Sequence, residues 1–323
     1  MDAPDALVPA PDPFEQAFAA FLRLDVANGD AAPDTLRGYR AEAAAWGAWC
    51  RARGVAPQAA DAEALKAYRR ALVEQGYRPA AIAFKLAVVR RVYQAAVAAG
   101  LRPDNPAVGV RAPRARRAAE DFGCLSEVYL ALVLRAVPGT GRVKDRRDRV
   151  LLGLLALQGL RTIEVVRAGV ADLQRRDAGV ALLVRGKGHD RLVYLRPDVA
   201  AALDAYLAAR GPVAADAEGV PLLAAVGNRA GGRRISRRGV RQVVDDYLAR
   251  AGVKRPGVSG HALRHTAATL AYAHTRDLRA VQDLLGHADP RTTSRYARVV
   301  NLARTNPALA IPVALGGDEP AAP

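Results

Sequence analysis

The chain has 323 residues, 51% of them hydrophobic, which gives length for two ordinary domains and apolar content for sizeable cores. Its 48 Lys and Arg against 32 Asp and Glu leave a formal charge of +16, an excess that favours a polyanionic partner, nucleic acid before membrane. Cys50 and Cys124 lie far apart with no metal-ligand spacing, and no apolar run reaches membrane-spanning length, so a disulfide scaffold, a zinc ribbon and a membrane protein are excluded.

Residues 1–12 are rich in Pro and Asp, are expected to be disordered, and show no basic leader, so a soluble intracellular (cytoplasmic) protein is expected. Four helical patterns follow. The first covers about Phe14 to Val26. The second begins near Asp34, read as its N-cap, and sets Leu36, Tyr39, Ala43, Trp46 and Cys50 on one face. The third spans about Asp61 to Glu74, and the fourth about Pro79 to Ala99. Short helices joined by short loops describe a compact helical domain over residues 13–110. Pro103, Pro106 and Pro113 break helices, so residues 101–120 read as linker-like, and the linker proper is assigned to residues 111–122. Arg111, Arg114, Arg116 and Arg117 stand there with no acid between them. Such a run is either a solvated segment or a track for phosphates.

A second domain is assigned to residues 123–304. Ser126 is the expected cap of a helix running to about Val137, residues 138–148 read as a loop, and an apolar helix covers about Arg149 to Leu157. Residues 169–195 change to a strand pattern, with a hairpin formed by Gly179–Val184 and Arg191–Leu195 and with Lys187 at its tip. Helices then return. Ser236 opens one of them amid Arg233, Arg234, Arg237, Arg238 and Arg241, and both arginines and helix N-termini favour phosphate. The fold class is therefore mainly α with a small β-hairpin or sheet in the second domain. Residues 305–323 form an apolar, proline-split tail.

One set of residues types a reaction. Arg161 and Arg264 carry planar, permanently charged guanidiniums that suit the non-bridging oxygens of a phosphodiester. Tyr296 supplies a hydroxyl which, with a free pKa near roughly 10, needs help to act as a nucleophile. Lys187 is one of five lysines among the 48 basic residues and sits in a Gly-Lys-Gly turn, so it is either a general acid or a solvated hairpin tip. His261 and Arg264 are one helical turn apart and share a face. His265 is either a packing residue or a participant. His287, after Leu-Gly, is either a helix C-cap or a phosphate donor. Glu164, one turn after Arg161, either holds that guanidinium by a salt bridge or forms a surface helix pair of little worth. The His261/His265 spacing allows zinc, but Ala262 stands where a metalloprotease motif has Glu, so no metal is assigned.

Together, GLRTIE (159–164), GKGHD (186–190), HALRHT (261–266), LLGH (284–287) and TTSRY (292–296) resemble the signature of the tyrosine recombinase (phage integrase) family. The resemblance implies a helical SAM-like core-binding domain followed by an α+β catalytic domain. It implies that Arg161, Lys187, His261, Arg264 and His287 surround the scissile phosphate while Tyr296 forms a 3′-phosphotyrosyl link, with Glu164 and His265 in support. No ATP, metal or other cofactor is then required. The implied partner is double-stranded DNA with an inverted-repeat core site, clamped by the two domains. The implied assembly is a homo-tetramer, or a hetero-tetramer with a second recombinase, working through a Holliday junction, and the tail either docks on a neighbouring subunit or folds back on its own domain. With no arm-binding domain in view, a Xer-type role in dimer resolution is favoured over integration and excision aided by arm sites. A type IB topoisomerase and a non-catalytic DNA-binding protein of the same fold are the competing readings. The chain departs from the family pattern between Ala271 and Leu278, where the usual glycine is absent.

Overall fold

The computed structural model describes residues 12–304, apart from 30, 32, 115–122, 187–189, 213–218, 227–231 and 288. Arg116, Arg117, Lys187, the N-terminal residues 1–11 and the tail 305–323 thus lie outside the described residues. The chain divides into two compact units, Met1–Ala118 and Ala119–Pro323.

Among its described residues the first unit holds four α-helices: α1 (Pro13–Leu24), α2 (Pro33–Arg51), α3 (Ala62–Glu74) and α4 (Pro79–Ala98). Asp12 caps α1 by accepting from the Phe14 amide at 3.0 Å, and Pro13 occupies the first turn, where its missing N–H costs nothing. Asp61 caps α3 in the same way through the Ala64 amide at 2.9 Å. Asp34 is not the cap of α2. The helix begins at Pro33 and holds Asp34 in its first turn, where the carboxylate accepts from Arg37 at 2.7 Å. The core is aromatic: Trp46 and Tyr93 are fully buried, with Trp46 Nε1 donating to Tyr93 Oη at 3.1 Å and Tyr93 donating onward to the Pro57 carbonyl at 2.8 Å. Cys50 is also buried in this core, and burial pushes its thiol up to about 11, so it stays protonated. Residues 101–110 are not free linker. Ala107 and Val110 are buried in the same core, and Arg90 donates to both of their carbonyls, at 3.2 and 3.1 Å.

The second unit opens with α5 (Glu127–Arg135), capped by Ser126, and α6 (Val143–Ala156). Helix α6 starts six residues before the expected Arg149. The sequence VKDRRD looks like a polar loop, but its last acid is met inside the core: Asp148, with no exposed surface, accepts from Arg147 Nε at 2.8 Å, Lys144 at 2.9 Å and Tyr247 Oη at 3.0 Å. The apolar second half, Val150 to Ala156, is buried on every side and forms the centre of the unit. A short helix α7 (Thr162–Arg167) leads into an antiparallel sheet of order β1-β2-β3: β1 (Leu173–Arg176), β2 (Gly179–Val184) and β3 (Arg191–Tyr194). The β2–β3 hairpin matches the expected one, with Val184 opposite Arg191; β1 adds a third strand. Helices α8 (Pro197–Arg210), α9 (Arg237–Arg250), α10 (Gly260–Thr275), α11 (Leu278–Leu285) and α12 (Pro290–Arg304) complete the unit.

At the end of α10, Arg276 takes the left-handed conformation, φ 57°, that a glycine would adopt without strain. This is the position range in which the sequence lacks a glycine. Among the described residues no helix is long and apolar enough to cross a membrane.

Candidate active site

A cleft of about 390 Å³ is lined by Arg161, His261, Arg264, His265, His287 and Tyr296, together with Asp289 and Thr292. Residues more than a hundred positions apart thus meet in one place. Three local devices bring them there.

The first is the N-terminus of α7. Arg161 is its N-cap, and Glu164, at the third helical position, reaches back to accept from the Arg161 amide at 2.7 Å. The same carboxylate accepts from Arg161 Nη1 at 2.8 Å. Arg191, on β3, donates to both Glu164 oxygens, at 2.9 and 3.1 Å, and Arg264 Nη1 stands 3.9 Å away. Burial alone would raise the Glu164 pKa, yet the hydrogen bonds from Arg191 and Arg161 outweigh it and hold the carboxyl below its usual range. Three guanidiniums therefore share one ionised carboxylate. The Arg161 side chain stays 41% exposed, so this guanidinium remains open to the cleft.

The second device is helix α10. Arg264 is 2% exposed, and its guanidinium donates to the Gly159 carbonyl at 2.5 Å and the Leu285 carbonyl at 2.7 Å. Burial, followed by the positive charge of Arg161, pushes its pKa down to about 10, which still leaves it charged at neutral pH. One residue on, His265 is buried, and its Nδ1 lies 2.7 Å from Tyr296 Oη. His261, one turn earlier, is exposed at the mouth, with its ring 4.3 Å from that of His265.

The third device is the turn after α11. Gly286 caps that helix in the left-handed conformation, φ 61°, and the His287 amide closes back onto the Gln282 carbonyl. His287 Nε2 sits 3.1 Å from Arg264 Nη2, and its Nδ1 sits 2.9 Å from Thr293 Oγ1. A guanidinium has only donors, so Nε2 accepts and Nδ1 carries the proton toward Thr293. Helix α12 then places Tyr296, 1% exposed, against the apolar side chains Ala268, Val281 and Leu285.

The structure thus brings together Arg161, Glu164, His261, Arg264, His265, His287 and Tyr296. Among the basic residues named from the sequence, Arg111, Arg114, Arg233, Arg237, Arg238 and Arg241 are exposed. Ser236 caps α9 by accepting from the Gly239 amide at 3.0 Å, so Arg237, Arg238 and Arg241 project from the first turns of that helix. Arg234 is engaged within the protein instead: its Nη1 donates to the carbonyls of Val166, Arg167 and Ala168 at 2.7, 2.6 and 2.7 Å and so closes the end of α7. Two contributors escaped the sequence reading. Thr293 stands in the TTSRY motif with no role assigned to it from the sequence, and Arg191 begins a strand with no motif of its own. Among the described residues no group of three His, Cys, Asp or Glu side chains is placed to hold a metal ion.

The chain is similar to known proteins of one family. Residues 134–301 match the phage integrase family, and residues 18–100 match the phage integrase N-terminal SAM-like domain. The chain is 32% identical over 286 residues to the tyrosine recombinase XerD of Rhizobium meliloti (strain 1021), covering 87% of this chain and 90% of that one. It is 34% identical over 292 residues to the tyrosine recombinase XerD of Xanthomonas campestris pv. campestris, covering 88% of each. In fold it resembles a lambda integrase chain from the crystal structure of that integrase's tetramer bound to a Holliday junction, with a TM-score of 0.63 at 15% identity over 87% of this chain and 76% of that one.

Proposed function

The chain belongs to the phage integrase family and is a tyrosine-type site-specific recombinase, and from that premise we propose that the cleft between α7, α10, α11 and α12 is where it cuts and rejoins DNA strands. The observation that carries the reading is the pair Arg161 and Arg264, one open and one buried, converging on a cleft whose wall holds the Tyr296 hydroxyl.

In this reading Arg161 and Arg264 take the two non-bridging oxygens of a phosphodiester and neutralise the charge that grows in the phosphorane-like transition state. Tyr296 Oη attacks phosphorus, the P–O5′ bond breaks, and the strand leaves as a 5′-hydroxyl. The phenolic proton has an acceptor at 2.7 Å in His265 Nδ1 whenever that nitrogen is unprotonated. A proton must reach the departing 5′-oxygen, and Lys187 of the GKG turn is the assigned donor. A phosphate that draws Arg264 Nη2 onto its own oxygen releases His287 Nε2, which then donates to the same phosphate when protonated. The bond energy stays in the 3′-phosphotyrosyl link, and a partner strand's 5′-hydroxyl reverses the step, so neither ATP nor a metal enters the balance.

Residues 13–110 serve as the core-binding domain and residues 123–304 as the catalytic domain. The arginines of the 111–122 linker, and Arg233, Arg237, Arg238 and Arg241, hold phosphates. The DNA-bound tetrameric state of lambda integrase supports a tetramer on an inverted-repeat core site, formed by this chain alone or with a second recombinase. The XerD relatives favour chromosome or plasmid dimer resolution, in the cytoplasm.

Covalent capture tests this. The protein is incubated with fragmented DNA of its own genome, without metal or ATP, then denatured, and the attached DNA is sequenced. Adducts clustered at an inverted repeat and lost in Tyr296→Phe are expected. Adducts scattered over all DNA would identify a topoisomerase, and adducts that survive Tyr296→Phe would overturn the nucleophile.

A further inference from the structure

Arg191 touches none of the atoms assigned to the reaction, yet it joins three of the parts that hold them. It is the first residue of β3, paired with Val184 across the hairpin. Its side chain is 13% exposed, and its two Nη atoms grip both oxygens of Glu164. Glu164 in turn holds the backbone and the guanidinium of Arg161. On its other side Arg191 lies against Gly286: a Cβ built there would stand 2.7 Å from Arg191 Cδ and Nε and 2.8 Å from Cζ. Only a glycine admits the arginine at that turn, and the turn delivers His287.

We propose that Arg191 is a positioning residue for strand cleavage, which fixes Glu164, and through it Arg161, relative to the His287 turn. The inference rests on the reading of Arg161 as a phosphate-binding residue.

The chemistry favours positioning over simple charge balance. A bidentate guanidinium–carboxylate pair is planar and fixes the angle of its partner as well as its distance. Glu164 Oε1 accepts from both Arg161 and Arg191, so turning one guanidinium turns the carboxylate and displaces the other. The Nε of Arg191 is buried with no hydrogen-bond partner among the described residues. An unmet buried donor is disfavoured, which indicates that the side chain is placed by its grip on Glu164 and its fit under Gly286 rather than by full satisfaction of its own donors. Arg191 also follows Lys187 by four positions in the chain.

The test uses the full-length protein and a nicked duplex carrying the core site recovered by covalent capture, with wild type and Tyr296→Phe run alongside. Single-turnover adduct formation is measured at saturating DNA, together with the Kd for the same duplex and the melting temperature. Arg191→Gln is expected to slow adduct formation by about 10- to 100-fold, the range for a small misplacement of a reacting group, while Kd changes less than about twofold. Arg191→Lys should recover part of the rate, because an ammonium still reaches one carboxylate oxygen. In a Glu164→Gln background Arg191→Gln should add little further loss, since residues acting as one unit are not additive. An unchanged rate overturns the inference. So does a rate loss matched by equal losses in DNA affinity and melting temperature, or a loss fully additive with Glu164→Gln. If wild type forms no Tyr296-dependent adduct, the functional reading falls and takes the inference with it; a wild-type adduct with no effect at Arg191 removes the inference alone.

Discussion

Glu164→Gln is the sharpest perturbation of the site, because it keeps the shape of the side chain and removes only its charge. The Glu164 side chain is 4% exposed and accepts four hydrogen bonds, one from the Arg161 amide and three from the guanidiniums of Arg161 and Arg191. Arg264 is a further positive charge at 3.9 Å. A glutamine retains one acceptor oxygen but turns an NH2 toward guanidinium donors. Removing one partner of a buried ion pair costs about 3–5 kcal/mol, and the loss at pH 7 should fall in that range. Urea unfolding of both proteins measures it. The pH dependence supplies a second check. The folded-state pKa of Glu164 lies below the ordinary 4.5. A group with a lowered folded pKa stabilises fully above its unfolded value and loses that contribution as pH falls through the folded one. The gap between wild type and Glu164→Gln should therefore be widest at neutral pH and close on acidification below about 4.5. A gap under about 1 kcal/mol at pH 7, the size of an exposed pair, would refute the argument, and so would a gap that widens in acid.

Other outcomes follow from the same geometry. Gly286→Ala should destabilise by about 1 kcal/mol or more through its left-handed backbone, and should slow cleavage further because the new methyl meets Arg191 at 2.7 Å; unfolding and single-turnover rates together report both effects. Arg276→Gly should raise stability by about 1 kcal/mol, since the residue sits at φ 57°, and a melting temperature about 2–4 °C higher would show it. Arg238→Ala should weaken binding to all duplexes alike and lower the slope of log K against log salt by about 1, whereas a change confined to one DNA sequence would mean that it reads a base.

Much of the first unit was legible in the sequence because its helices are amphipathic and punctuated: Asp61 before α3, Pro79 at the start of α4, and Phe14, Phe18 and Leu22 on one face of α1. Residues 143–148 were not legible. Their charges read as solvated loop until Asp148 meets Tyr247, 99 positions away, and the polar stretch becomes a turn of helix with Asp145, Arg147 and Asp148 buried. The spacing of Arg161 and Glu164 foretold their bond, since residues three apart on a helix are neighbours.

What the sequence determined by itself is the list of candidate groups and their order along the chain: two arginines, three histidines, a lysine and a tyrosine in family-like motifs. Chemistry of that kind depends on residue type, and residue type is written in one dimension. What only the tertiary structure decided is which groups touch. His265, left undecided between packing and participation, holds the Tyr296 hydroxyl, and Arg234, grouped with the phosphate-binding arginines, closes the end of α7. Arg191, which carries no motif, joins Glu164 to the turn before His287. Each of these contacts links residues 27 to 95 positions apart, beyond the reach of any helical or strand period, and only the packing of one element against another sets them.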